Sequence, residues 1–174
     1  MRDFRQLVEA HQSRIYSLAL RIVGDCGLAE EVAQDAFLAL HRSLERIESD
    51  EHALAWLRKA AVHRSTDALR RRAKRAEFAA EEFHDEFPES NGALRNGRQS
   101  FNGLANRVEQ LVAALPETQR VVVLLRYQED LLPEEIASTL AMPVATVKSH
   151  LQRALQMLRG KAERTLKEFI RVPK

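Results

Sequence analysis

Residues 131–159, LLPEEIASTLAMPVATVKSHLQRALQMLR, constrain this chain more than any other stretch, because they describe a short helix, a tight break and a longer helix. Pro133 suits a first helical position, where a missing N–H is no loss, and Glu134 and Glu135 favour the positive helix start. Ile136, Ala137 and Leu140 then share one face. Met142-Pro143 is expected to end that helix, since a residue before proline is pushed out of the α region. In the second helix, about 100° per residue aligns Val144, Val147, Leu151, Ala154, Leu155 and Leu158 in one apolar stripe. The opposite face carries Ser149, Gln152, Arg153 and Gln156, with Lys148 and Arg159 at its edge and no acid among them. Any surface helix has one polar face, so amphipathicity alone decides little. Added to the helix–break–helix spacing, an acid-free face centred on Gln and Arg suits the major groove, whose base edges those side chains can read. The pattern is that of a helix-turn-helix.

The rest of the chain is helical too. Phe4, Leu7, Val8, His11, Ile15, Leu18, Ala19 and Ile22 recur at helical spacing and predict a first helix ending near Gly24-Asp25. His11 on that apolar side fits a packed histidine better than a ligand. A second helix is expected from about Leu28, with Val32, Ala33, Ala36, Phe37, Leu40 and Leu44 inward and Glu30, Glu31, Gln34, Asp35 and His41 largely outward. That outward face is either a solvated surface or a partner-binding one, and the helix alone does not choose. SLERIESDEH is a polar loop ahead of a third helix through Trp56, Leu57, Ala60, Ala61, Val62 and Leu69. Its second half holds Arg64, Arg70, Arg71, Arg72, Lys74 and Arg75 against the single acid Asp67. A charge run is usually a solvated face. This one is helical, one-signed and near the only tryptophan, which favours phosphate binding.

Composition then inverts. Residues 77–89 contain six acids and no Lys or Arg, and PESNGALRNGRQSFNG follows without helical periodicity, so residues 76–105 are expected to be a linker. On composition the acids need do no more than keep a tether soluble. Beyond it, Val108, Leu111, Val112 and Leu115 belong to a helix closed by Pro116, and LPETQRVVVLLRY opens another with Val121, Val122, Leu124 and Leu125 buried. The expected class is all-α, with a helical domain at 1–75, the acidic and polar linker, and a helix-turn-helix domain at 106–170.

Several functions lack their chemistry here. There is no Gly-rich phosphate loop, no Cys/His ligand cluster and no nucleophile motif, so no enzyme, metal or cofactor is expected. The single cysteine, Cys26, allows no internal disulfide and fits a reducing cytoplasm. The charged N-terminal MRDFRQLVEA is unlike a signal peptide, and no apolar run reaches membrane-spanning length. A net charge of +2 says little by itself.

Two domains, a basic helix in the first and a helix-turn-helix in the second, resemble a bacterial RNA polymerase sigma factor of the extracytoplasmic-function group. AEEVAQDAFL at 29–38 is similar to region 2.2, WLRKAAVHRSTDALRRRAKR at 56–75 to regions 2.3 and 2.4, and residues 115–159 to region 4. The resemblance implies a promoter-specificity subunit without catalysis of its own. It implies that Glu31, Gln34 and Asp35 contact the clamp helices of the polymerase β′ subunit, and that the loop at 43–53 captures a flipped base. Arg64, Arg70, Arg71 and Arg72 would face the −10 element, and Lys148, Ser149, Gln152 and Arg153 the −35 element. Core polymerase (β′ and β), promoter DNA and an anti-sigma factor are the implied partners. The linker would cross the polymerase cavity. Four places depart from the family pattern: His63 for Asn, His150 for Arg, Ala145 for Gly, and Leu132-Pro133 for a Ser-aromatic start. A classical regulator, with the helix-turn-helix joined to a dimerising or sensing domain, is the alternative, and the basic helix at 64–75 argues against it.

Overall fold

The first helix stops where glycine allows it to. α1 (Phe4–Val23) ends on Gly24 at φ 72°, whose N–H donates to Leu20 O at 2.8 Å. Asp25 then starts α2 (Cys26–Arg42), its carboxylate accepting from Leu28 N–H at 2.9 Å. That cap sets the beginning of α2 two residues before the expected Leu28. The computed structural model describes residues 3–82 and 103–170, with side chains described over 3–77 and 106–163. These form two units, Met1–Gly97 and Arg98–Lys174. No strand occurs among the described residues.

In the first unit α1, α2 and α3 (Asp50–Glu82) pack pairwise. Leu7, Ile15, Leu18 and Ile22 of α1, Val32, Ala36 and Leu40 of α2, and Leu57, Ala61 and Val62 of α3 are all buried. His11 is indeed buried, with Nε2 3.2 Å from Asp50 Oδ1, so it ties α1 to the first turn of α3. The expected polar loop is shorter than its composition implied: a 3-10 turn at Leu44–Arg46 and buried Ile47 precede Ser49, whose hydroxyl caps α3. Ala53, Ala60, Ala61, Ser65 and Ala68 are small, which lets α3 lie close to its neighbours. From Arg70 to Glu77 every residue is exposed.

The helix does not end at residue 75. α3 runs to Glu82 and α4 (Gly103–Ala113) begins before residue 106, so both ends of the expected linker are helical. RAEFAAEE is built from strong helix formers and simply continues the preceding helix. Residues 83–102, with most of the expected linker, lie outside the described residues.

The second unit comprises α4, α5 (Glu117–Tyr127), α6 (Pro133–Leu140) and α7 (Val144–Ile170). Leu115, Val123 and Ala154 form a core joined by Val112, Leu151 and Leu158. All five of Val121–Leu125 are buried, one more than expected, because α5 touches α4, α6 and α7 together. Val108, by contrast, is 51% exposed. Half-buried Arg120 donates to Leu115 O at 3.2 Å; burial pushes its pKa down while Glu117 raises it.

Local rules explain the reversal between α6 and α7. Pro133 occupies the first turn, and Glu135 Oε2 accepts from Leu132 N–H at 2.7 Å. That is half a capping box, as leucine has no acceptor to return. The helix ends one residue before the expected Met142-Pro143, at Ala141, which sits at φ 51° and ψ 46°. Its N–H and that of Met142 both donate to Ala137 O, satisfying the last carbonyls as a left-handed C-cap does. Pro143 instead opens α7, its carbonyl accepting from Thr146 and Val147 N–H at 3.0 and 3.1 Å.

Candidate polymerase and nucleic-acid interfaces

Helix α2 presents the first face. Glu31, Gln34 and Asp35 are all exposed, and offsets of three and four residues place them side by side. Leu38, seven residues beyond Glu31, continues the same face and is 56% exposed. Sequence reasoning stopped at the polar trio. The spacing that grouped those three residues also contained Leu38, two short turns further on.

Helix α3 carries the second. Arg70, Arg71 and Arg72 are exposed, as are Lys74 and Arg75, whereas Arg64 is half-buried in the packed half of the helix. These residues do not form one stripe. At about 100° per residue Arg64, Arg71 and Arg75 align, while Arg70 and Arg72 point roughly 160° apart. Arg70 also lies 3.8 Å from Asp67. The result is a broad basic arc of about 200° around the helix, with Leu69, Ala73 and Ala76 in the remaining sector.

Helix α7 carries the third, and here the expected geometry is present. Val147 and Ala154 are fully buried, with Leu151, Leu155 and Leu158 half-buried beside them. Ser149, Gln152, Arg153 and Gln156 are exposed on the other side. Lys148, at the margin, is exposed with Nζ 4.0 Å from Glu134 Oε1 of α6. His150 turns toward the packed side, where its Nδ1 is buried. It therefore does not join the polar face.

No group of His, Cys, Asp and Glu that could hold a metal occurs among the described residues, and no described helix is long and apolar enough to cross a membrane.

Residues 7–75 match the family described as Sigma-70 region 2, and residues 105–158 match Sigma-70 region 4. Together these spans contain all three faces. Over 96% of its length the chain is 31% identical to the RNA polymerase sigma-H factor of Pseudomonas aeruginosa, covering 90% of that protein. The chain belongs to the sigma-70 family, in its extracytoplasmic-function group. It is 28% identical to the extracytoplasmic-function sigma factor SigW of Bacillus subtilis, with 90% of this chain and 87% of that protein aligned. Among solved structures, RpoE of Bartonella quintana, crystallised with the anti-sigma factor NepR, superposes with a TM-score of 0.74 at 18% identity, covering 94% of this chain and 98% of that one. CnrH, solved with the cytosolic domain of CnrY, gives 0.62 at 24% identity over 92% and 87%. As a sigma factor, the chain works with core RNA polymerase to direct promoter-specific initiation of transcription.

Proposed function

We propose that the three faces divide this work between them. Glu31, Gln34 and Asp35 on α2 bind the β′ clamp helices of core polymerase. The cations of α3, Arg64 and Arg70 to Arg72, hold the −10 region as it opens, and Lys148, Ser149, Gln152 and Arg153 on α7 read the −35 element. The observation that carries this reading is α7 itself: a helix fixed along one side, entered through a tight turn, with Ser, Gln and Arg exposed on the other side. Such a helix enters a major groove with its side chains already aimed.

No residue of this chain takes part in bond making; nucleotidyl transfer belongs to the core enzyme. Opening is driven by binding, since an unpaired base stacked on protein offsets some lost base stacking. The setting is the cytoplasm, where the polymerase is. An anti-sigma factor is the expected regulator, since RpoE was crystallised with one and CnrH was solved in complex with the cytosolic domain of CnrY. The test is run-off transcription. The purified chain is mixed with core polymerase on genomic fragments, and transcripts from defined start sites are expected. Arg153→Ala should lose them on the preferred promoter. Transcripts that do not depend on added chain, or that start at random, would refute the assignment.

A further inference from the structure

An isolated exposed leucine is ordinary. Leu38 differs because it stands at the lip of a groove of about 810 Å³ between α1 and α2. Val8, Ala33 and Phe37 make that groove apolar, and Gln12, Ser13 and Tyr16 give it a polar rim on the α1 side. One end is closed by Phe4, whose ring meets His41 edge-on at 4.7 Å. The other end is closed by Tyr16, whose hydroxyl pKa is raised, chiefly by the side chain of Cys26. From Phe4 to Tyr16 the groove runs about 18 Å, the rise of twelve helical residues, which matches three turns of a partner helix.

Its charge is one-sided. Among the described residues Glu30 is the only charged one in the lining, with no Lys or Arg, and Glu31 and Asp35 follow on the exposed side of α2. We propose that this groove, with Leu38 at its lip, seats an apolar side chain carried between basic residues on a helix of core RNA polymerase. The proposal rests on the reading of Glu31, Gln34 and Asp35 as polymerase contacts, and adds to that polar face an apolar, salt-insensitive part. A buried apolar anchor ringed by polar contacts is the arrangement that concentrates binding energy in protein interfaces.

Salt separates the two parts, because it screens exposed charge pairs and leaves apolar burial intact or strengthened. The full chain is titrated against core polymerase at low and high ionic strength, with melting temperature followed for each variant. Leu38→Ala should weaken binding roughly tenfold at both ionic strengths, and Leu38→Met should restore most of it. Ser13→Trp, which fills the groove from its exposed rim, should weaken binding in the same salt-independent way. The double change Glu31→Gln and Asp35→Asn should weaken binding at low salt only. Parent-like affinity in both Leu38→Ala and Ser13→Trp, with the acid variant still impaired, would overturn the groove and spare the polar face. Parent-like affinity in the acid variant, with the other two impaired, would spare the groove and overturn the polar reading. If Leu38→Ala left polymerase binding intact but broke up a self-associated chain, the occupant would be a second copy and the proposal wrong. Intact polymerase binding with lost binding of an anti-sigma factor would overturn it equally.

Discussion

The basic half of α3 and the polar face of α7 carry similar side chains on helices held in opposite ways. Over residues 144–158, α7 is anchored by Val147 and Ala154 and flanked by half-buried leucines, so one side is committed and the other is aimed. α3 is buried only as far as Ala68; from Arg70 to Glu77 every residue is exposed, and its cations spread over an arc of about 200°. Reading a base requires a donor held to within a fraction of an ångström, which the support under α7 supplies. Attracting phosphates requires only a field, which a broad arc of exposed Arg and Lys supplies without support. On the proposed division of labour, this difference would put specificity in α7 and affinity in α3.

The largest effect tests the support itself. Leu57 is fully buried in the anchored half of α3, and Leu57→Ala should cost the first unit about 2–5 kcal/mol in a denaturant titration. Arg72→Ala, on the unsupported half, should leave the same transition in place. Equal losses would mean that the far end of α3 is part of the core after all.

Next comes the division between readers. Arg153→Ala should cost about 1–3 kcal/mol on the preferred −35 sequence and relax one base position. Arg71→Ala should weaken every sequence alike and reduce the slope of log K against log salt by about one unit. Binding across a panel of single-base promoter variants, at several salt concentrations, measures both. If Arg153→Ala lowered affinity uniformly, or Arg71→Ala changed which base is preferred, the contrast between the helices would collapse.

Much of this contrast was legible in the sequence, for physical reasons. The α7 stripe obeys one period from Val144 to Leu158, because its neighbours lie along one side and leave Ser149, Gln152, Arg153 and Gln156 exposed. Five successive buried residues at Val121–Leu125 leave no such trace, because α5 is covered from three sides. The end of α3 was placed too early because the acidic turn in composition looked like a boundary, whereas a run of helix-forming residues is enough to continue a helix across a change of charge. Ala141 was missed as the reversal point, since alanine rarely takes a left-handed conformation and proline nearby offered an easier explanation. Leu38 was left out of both faces of α2, although its spacing from Glu31, Gln34 and Asp35 puts it on the outward one, where it is exposed.

The smallest effect bears most directly on the unsupported helix. Arg71 and Arg75, four residues apart, and Arg72 and Arg75, three apart, are like-charge neighbours on one turn. Each such pair destabilises a helix by about 0.2–0.5 kcal/mol, and no packing offsets it here. Arg75→Glu turns both repulsions into attractions while removing a cation. The helix over 70–77 should therefore become more protected in amide hydrogen exchange by a similar few tenths of a kcal/mol, though the orientation with Glu C-terminal to Arg is the weaker one. DNA affinity should fall at the same time. A charge-neutral Arg75→Gln should lie between the two in protection and lose less affinity. Phosphates would act on the parent as Glu does within the variant, so added duplex should raise protection over 70–77 in the parent and little in Arg75→Glu. If protection in the parent were already as high as in α7 and insensitive to both charge and DNA, α3 would be held by something other than its own propensity, and the two helices would differ in chemistry alone.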